Sequence, residues 1–253
     1  MKRAFTLLEL AVVLAIIAIV THFAVRGLGE YRNAKFADAA DRQLETIREA
    51  ALKFYSDVGR LPKLTAQTND AGEVSWTLSE LWKKPDGLSA CRHVEHDGVH
   101  LAVGWNGPYL KLPFGRDRLL DPWGNAIELE DGAGLRRLWS DENNIVTNVC
   151  HYGASGQENC RKSVSLVPDG GGAASLIVTV DAGAYSGPVE CTWYGAYENS
   201  VTNETVSLPT SGGQVVFKDV PCGRKTLKVA AGRTSVHIVD VRSPVTQTEI
   251  KVQ

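Results

Sequence analysis

From Phe5 to Val25 nearly every position is apolar (FTLLELAVVLAIIAIVTHFAV), a run long enough to span a bilayer as a helix. A short basic element, Lys2-Arg3, precedes it. After Arg26 the pattern changes without a proline. Tyr31, Ala34, Ala39, Leu44, Ile47, Ala51 and Phe54 then recur at roughly helical spacing with charges between them. Gly59 and Pro62 close the segment. The pattern predicts one helix over 5–58, about 80 Å long at about 1.5 Å per residue, with 5–25 crossing the membrane. A break at Gly27 and Gly29 would make it two helices.

Short mixed elements follow. Thr77–Lys83 reads as a short helix, and Val99–Val103, Tyr109–Leu112, Ile127–Leu129 and Leu135–Trp139 read as strands. Asn106-Gly107-Pro108 and Asp121-Pro122-Trp123-Gly124-Asn125 are fixed turns. Pro168–Ala174 (PDGGGAA) reads as a linker. Beyond it lie seven strand candidates: Ser175–Asp181, Val189–Tyr194, Thr205–Leu208, Gln214–Lys218, Lys225–Val229, Ser235–Val241 and Thr246–Val252. Their spacing of about 8–12 residues predicts a small sandwich. Leu227 with Val229, Val236 with Ile238, and Ile250 with Val252 alternate as inward-facing pairs should.

Glu9 is the anomaly of the apolar run. A carboxylate at bilayer depth costs about 2.5–3.5 kcal/mol and needs a partner, yet no Lys or Arg lies within the segment. A newly exposed α-amino group would serve if the leader were removed. A secretory signal fits less well, because the basic region is two residues and no small-x-small site follows the run.

Ala4-Phe5-Thr6-Leu7-Leu8-Glu9-Leu10 resembles the class III signal of type IV pilins and of the pseudopilins of type II secretion. The resemblance implies cleavage by a membrane prepilin peptidase between Ala4 and Phe5, where the family usually has Gly before the cut. It also implies N-methylation of Phe5 and pairing of Glu9 with the amine of a neighbouring subunit. Trp105-Asn106-Gly107-Pro108-Tyr109-Leu110, the DPWGN turn at 121–125 and Arg60-Leu61-Pro62 are similar to the head of the major pseudopilin. The implied fold class is α+β: a long N-terminal helix packed on a small β head, followed by an all-β sandwich. The expected boundaries are leader 1–4, helix 5–58, head 59–167, linker 168–174 and sandwich 175–253. A chain ending near Val167 is expected to fold its head. Val216–Arg224 resembles a turn of transthyretin-like sandwiches, and an immunoglobulin-like sandwich is equally compatible.

The major pseudopilins hold calcium in a loop near the end of the head. Here that place carries Ser140-Asp141-Glu142-Asn143-Asn144, with oxygen ligands at Asp141, Glu142 and Asn144 but without that loop's glycines and later aspartates. The expectation is an exposed acidic loop and no cofactor, with calcium on Asp141, Glu142 and Asn144 as the alternative. Of the five cysteines, Cys150 and Cys160 bracket a polar loop and read as a disulfide staple. Cys191 and Cys222 would pair in the sandwich, leaving Cys91; other connectivities are allowed.

Charge excludes one class of partner. Residues 1–150 hold 18 basic against 20 acidic side chains, and the rest nine of each, so no basic excess points to nucleic acid. His93, His96 and His100, with Cys91 and Glu95, lie in CRHVEHDGVH without the spacing of a zinc motif and read as a solvated polar loop. The six tryptophans read as core or turn anchors. No nucleophile elbow, phosphate loop, zinc-protease or dinucleotide fingerprint occurs.

The expected function is therefore structural, not enzymatic: a subunit of a type II secretion pseudopilus, single-pass in the bacterial inner membrane with its head in the periplasm. Its partners would be the prepilin peptidase, other copies of itself, related pseudopilins and the inner-membrane assembly platform. The alternatives are a major or minor type IV pilus subunit with an adhesive C-terminal domain, and a tethered binding module.

Overall fold

The computed structural model describes residues 7–63, 65–68, 72, 74–116, 119–120, 122, 129–130, 139–140, 146–151, 162–166, 173–208, 212–242 and 244–252. A single helix, α1 (Leu7–Val58), opens the chain; its 52 residues correspond to about 78 Å. It passes Gly27 and Gly29 without a break. Each glycine costs a helix only about 1 kcal/mol, and strong helix formers flank both. Ala37, Ala40, Leu44, Ile47, Ala51, Phe54 and Val58 are buried at steps of three or four residues. Tyr31 and Ala34, expected on this face, are exposed instead, because the covered stretch begins at Ala37. Leu61, Leu78, Leu81, Leu88, Leu110, Leu119 and Leu166 complete the core against which the helix packs.

The head contributes β1 (Thr65–Thr68), β2 (Val74–Thr77), β3 (Arg92–His96), β4 (Val99–Val103), β5 (Leu129–Glu130), β6 (Trp139–Ser140), β7 (Val146–His151) and β8 (Lys162–Ser165). They form the sheets β1-β2-β5 and β6-β7-β8 and the hairpin β3-β4. The short helix expected at 77–83 is a single 3-10 turn, Ser79–Leu81. Tyr109–Leu112 is not a strand. The Tyr109 and Leu110 amides both donate to the Leu81 carbonyl, at 2.8 and 3.0 Å, which ties this segment to the 3-10 turn. Of Ile127–Leu129 and Leu135–Trp139, only Leu129 and Trp139 are described, and each lies in a short strand.

The histidine-rich stretch, expected as a loop, is the β3-β4 hairpin. Its turn is Asp97-Gly98, with both residues at positive φ (52° and 75°), as a two-residue hairpin of matching twist requires. The Asp-Gly pair was the available sequence signal.

Seven strands follow: β9 (Ala173–Asp181), β10 (Val189–Tyr197), β11 (Ser200–Leu208), β12 (Gly212–Pro221), β13 (Gly223–Ala231), β14 (Arg233–Val241) and β15 (Val245–Lys251). Each overlaps one of the strands expected from the sequence. They form an antiparallel sheet β11-β10-β13-β14 and a second sheet β12-β9-β15, in which β15 runs parallel to β9. Leu176, Val178, Val215, Phe217, Leu227, Val229 and Ile250 fill the core between them. The whole is α+β with sandwich-like sheets.

Two expectations fail here on register. Val236 and Ile238 are 49% and 67% exposed. They pair with Lys228 and Thr226, on the outer face of β13, while Ser235 and His237 pair with the core residues Val229 and Leu227. A one-residue choice of register exchanges the two faces of a strand, so apolar alternation alone does not decide. Cys191 and Cys222 are both buried thiols and not a disulfide. Cys191 pairs with Val229, and Cys222 lies seven residues back along the chain, about 23 Å at about 3.3 Å per residue. A disulfide needs the two Cα atoms within about 7 Å.

Lys225 is the core's charged intruder, 1% exposed on the inward face of β13. It uses the space left by Gly195, where a side-chain carbon would sit 2.9 Å from Lys225 Cδ. Burial pulls its ammonium down from 10.5 to about 8, against the opposing pull of Cys222 and Asp240. Below pH 8 both folded and unfolded chains carry the charge, so the full burial cost is present. Between about pH 8 and 10.5 only the unfolded chain holds the proton, so this group's contribution to stability rises with pH. Lys225→Met is therefore expected to be about 2–3 kcal/mol more stable than the parent at pH 7, with the gap closing toward pH 10. Urea unfolding of both proteins at the two pH values measures it.

Candidate functional site

The free half of α1 is the first part of the site. From Leu10 to His22 every side chain is exposed. Leu10, Val12, Val13, Leu14, Ile16, Ile17, Ile19 and Val20 are 46–60% exposed. At about 100° per residue these eight cover the helix surface except for an arc of about 140°, which Ala11, Ala15 and Ala18 fill, so the stretch 10–20 has no polar face. A helix of that kind is covered by lipid or by other helices in its working state. Among the described residues, no helix segment is long and apolar enough to cross a membrane. The expected span, 5–25, extends past the described side chains at both ends. Glu9 lies in the opening turns of α1; its side chain, and Ala4 and Phe5, are outside the described residues.

The other end of α1 is a joint. Gly59 ends the helix at φ 81°, with its amide on the Tyr55 carbonyl at 2.8 Å. Any side-chain carbon there would collide with the Ala196 carbonyl of β10. The last turn is capped from the C-terminal sheets, since the Glu198 amide donates to the Val58 carbonyl at 2.6 Å. Arg60 follows, 9% exposed. Its Nη1 and Nη2 grip Glu80 at 2.8 and 3.0 Å, and its Nε reaches Glu198 at 2.8 Å. Its guanidinium carbon lies 5.4 Å from the Phe54 ring centroid. Burial disfavours the charge, but the two carboxylates outweigh it and hold the Arg60 pKa above its ordinary value. Glu80 also accepts from the Lys63 amide at 2.8 Å, and its carbonyl takes the Trp105 indole N–H at 2.8 Å.

Further contacts widen the joint. Asn199 accepts from the Ser89 amide at 2.7 Å and donates to the Gly87 carbonyl at 2.9 Å. Val99 and Leu101 of β4 pack against Tyr194 on the outer face of β10. Tyr55 touches both cores, and burial pushes its hydroxyl up to about 12, with Cys222 adding to the shift. Nearby, burial raises the Asp57 carboxyl, although hydrogen bonds from Tyr109 and Asn106 oppose the shift. Sequence reasoning found the Arg60-Leu61-Pro62 turn but not the ion pairs. Glu80 and Glu198 are distant in the chain and carry no local signal.

The remaining candidates do not converge. Asp141, Glu142 and Asn144 lie outside the described residues. So does Cys160; Cys150 sits on β7 opposite Ser163. His93 and His100 are exposed on the hairpin, and His96 Nε2 is 3.2 Å from Asn203 Nδ2. Among the described residues, no three His, Cys, Asp or Glu side chains are grouped as a metal ion would need.

Arg60→Met is expected to cost about 3–5 kcal/mol, because it leaves Glu80 buried without its counter-ion. Glu198→Gln, at the more open side of the joint, is expected to cost under about 1 kcal/mol. Urea unfolding orders the two. A chain ending at Val167 uncovers Val99, Leu101 and the Arg60–Glu80 pair, so its head is expected to unfold at lower urea than the head of the full chain.

Residues 1–25 match the family model of the prokaryotic N-terminal methylation motif. No curated protein and no solved structure matches the chain. The match covers Ala4, Phe5 and Glu9 and supports a type IV pilin-like precursor that a prepilin peptidase processes.

Proposed function

We propose that the chain is a structural subunit of a type II secretion pseudopilus and has no catalytic role. The carrying observation is the methylation motif at residues 1–25, which overlaps the start of a helix whose exposed stretch 10–20 is apolar on every side. The precursor inserts in the inner membrane through 5–25, with the head and the C-terminal sheets in the periplasm. The peptidase cuts between Ala4 and Phe5, and Phe5 is methylated. In the filament, other copies replace lipid around α1, and an inner-membrane platform drives their addition.

Glu9 selects the stagger between copies. A carboxylate in a low-dielectric helix bundle is costly unless paired, and the Phe5 amine of a neighbour is the cation available. An axial slip of one helix against the next leaves both charges unpaired. The similarity of Trp105–Leu110 to the head of the major pseudopilin supports secretion over pilus function, whereas the 121–125 element is shared by some type IV pilins and fits either reading.

A pilus subunit is the second reading. The seven-strand C-terminal unit supports it, because a surface fibre uses such a domain for recognition. Either way, Glu9→Ala is expected to insert in the membrane normally and to assemble poorly. The test is a deletion strain complemented with the parent or the variant, scored for secreted proteins and surface filaments together. Lost secretion with unchanged surface filaments supports the pseudopilus. Lost filaments with normal secretion supports the pilus, and normal assembly of the variant removes the pairing role of Glu9.

A further inference from the structure

A hollow of about 650 Å3 opens at the end of the C-terminal sheets remote from α1. Strand register fixes its position. On β9, Ala173 pairs with Pro221 beside the joint, and Asp181 pairs with Gly212 at the opposite end, about 26 Å away at about 3.3 Å per residue. The hollow is walled by the β9–β10 connection, the Gly232 turn between β13 and β14, and the end of β15. Its volume falls within the range of about 300–1,000 Å3 usual for small-molecule sites.

The walls are held in place by the backbone. The Val252 amide donates to the Asp181 carbonyl at 2.9 Å, and the Tyr185 amide to the Ala182 carbonyl at 3.1 Å. The Gly183 amide donates to Asp181 Oδ1 at 3.0 Å. Tyr185 lies directly against Gly187 and Gly232, where any side-chain carbon would collide with its ring. Gly232 also has φ +72°, so glycine there serves both the turn and the ring. The result is a fixed aromatic wall.

Charged groups surround that wall in opposite roles. Arg233 and Lys251 can only donate hydrogen bonds, and the Asp181 carboxylate can only accept them. Lys251 has a loose contact with Glu249 at 3.6 Å, and Arg233 has no ion pair among the described residues. Donors and an acceptor around an aromatic face match a ligand whose groups do both, as hydroxyls do. The two cations match a carboxylate on the same ligand.

We propose that this hollow binds an acidic saccharide: a sugar ring against Tyr185, its carboxylate between Arg233 and Lys251, and its hydroxyls on Asp181. The inference uses only the C-terminal sheets and stands whether the filament serves secretion or adhesion.

The test is calorimetric titration of the full chain in detergent micelles with tetragalacturonate and, as the neutral probe, chitotetraose. Tetragalacturonate is expected to bind, and the neutral tetramer at least about tenfold more weakly. Arg233→Ala and Lys251→Ala, both at exposed charges, are each expected to weaken binding about tenfold with unchanged thermal unfolding. Ala184→Trp fills the hollow from an exposed position and is expected to abolish binding. Absence of binding by both probes overturns the proposal. So does equal affinity for the two, or binding that survives all three substitutions.

Discussion

The architecture rests on one buried cation. Arg60 stands where the helix ends, with Glu80 of the head on one side and Glu198 of the C-terminal sheets on the other. A guanidinium taken out of water is unstable unless its donors are used, and here the fork meets Glu80 in two bonds and Glu198 in a third. The same few residues cap α1 and bring β10 so close that only glycine fits at position 59. Helix end, head and C-terminal sheets therefore share one set of contacts. A displacement of any of them would leave charge and backbone polar groups buried without partners.

That joint changes the meaning of the C-terminal unit. The sequence suggests an appended domain joined to the head through a glycine-rich linker. The structure has it docked through Glu198, Asn199, Tyr194 and the β3-β4 hairpin. A subunit built this way transmits the orientation of its helix to its outermost strands. The two ends of the molecule then divide the work. The stretch 10–20 of α1 is apolar on every side and suits burial among other helices. The remote end of the C-terminal sheets, far from that helix, carries the hollow bounded by Tyr185, Arg233 and Lys251.

Local signals and long-range pairing contributed differently. The methylation motif, the uninterrupted helix and seven C-terminal strands were legible because each depends on a short window: an apolar run, a helical period, turn residues at regular intervals. The histidine stretch shows the limit of composition. Its polarity suggests a loop, yet Asp97-Gly98 supplies the two positive φ angles of a tight hairpin, and Val99, Leu101 and Val103 give β4 a buried face. Tyr109–Leu112 shows the converse. Apolar residues with strand character are taken by hydrogen bonds to Leu81 before they can pair.

The sequence by itself determined where the chain is apolar, where it turns, and that its first residues form a processing signal, since these are properties of neighbouring residues. Only the tertiary structure decided which face each strand buries, as Val236 and Ile238 show by lying outside. It alone separated Cys191 from Cys222 and brought Glu80 and Glu198 onto Arg60. Register and ion pairing depend on residues far apart in the chain, and which of several partners a strand or a charge takes is settled by which arrangement leaves the fewest buried groups unpaired.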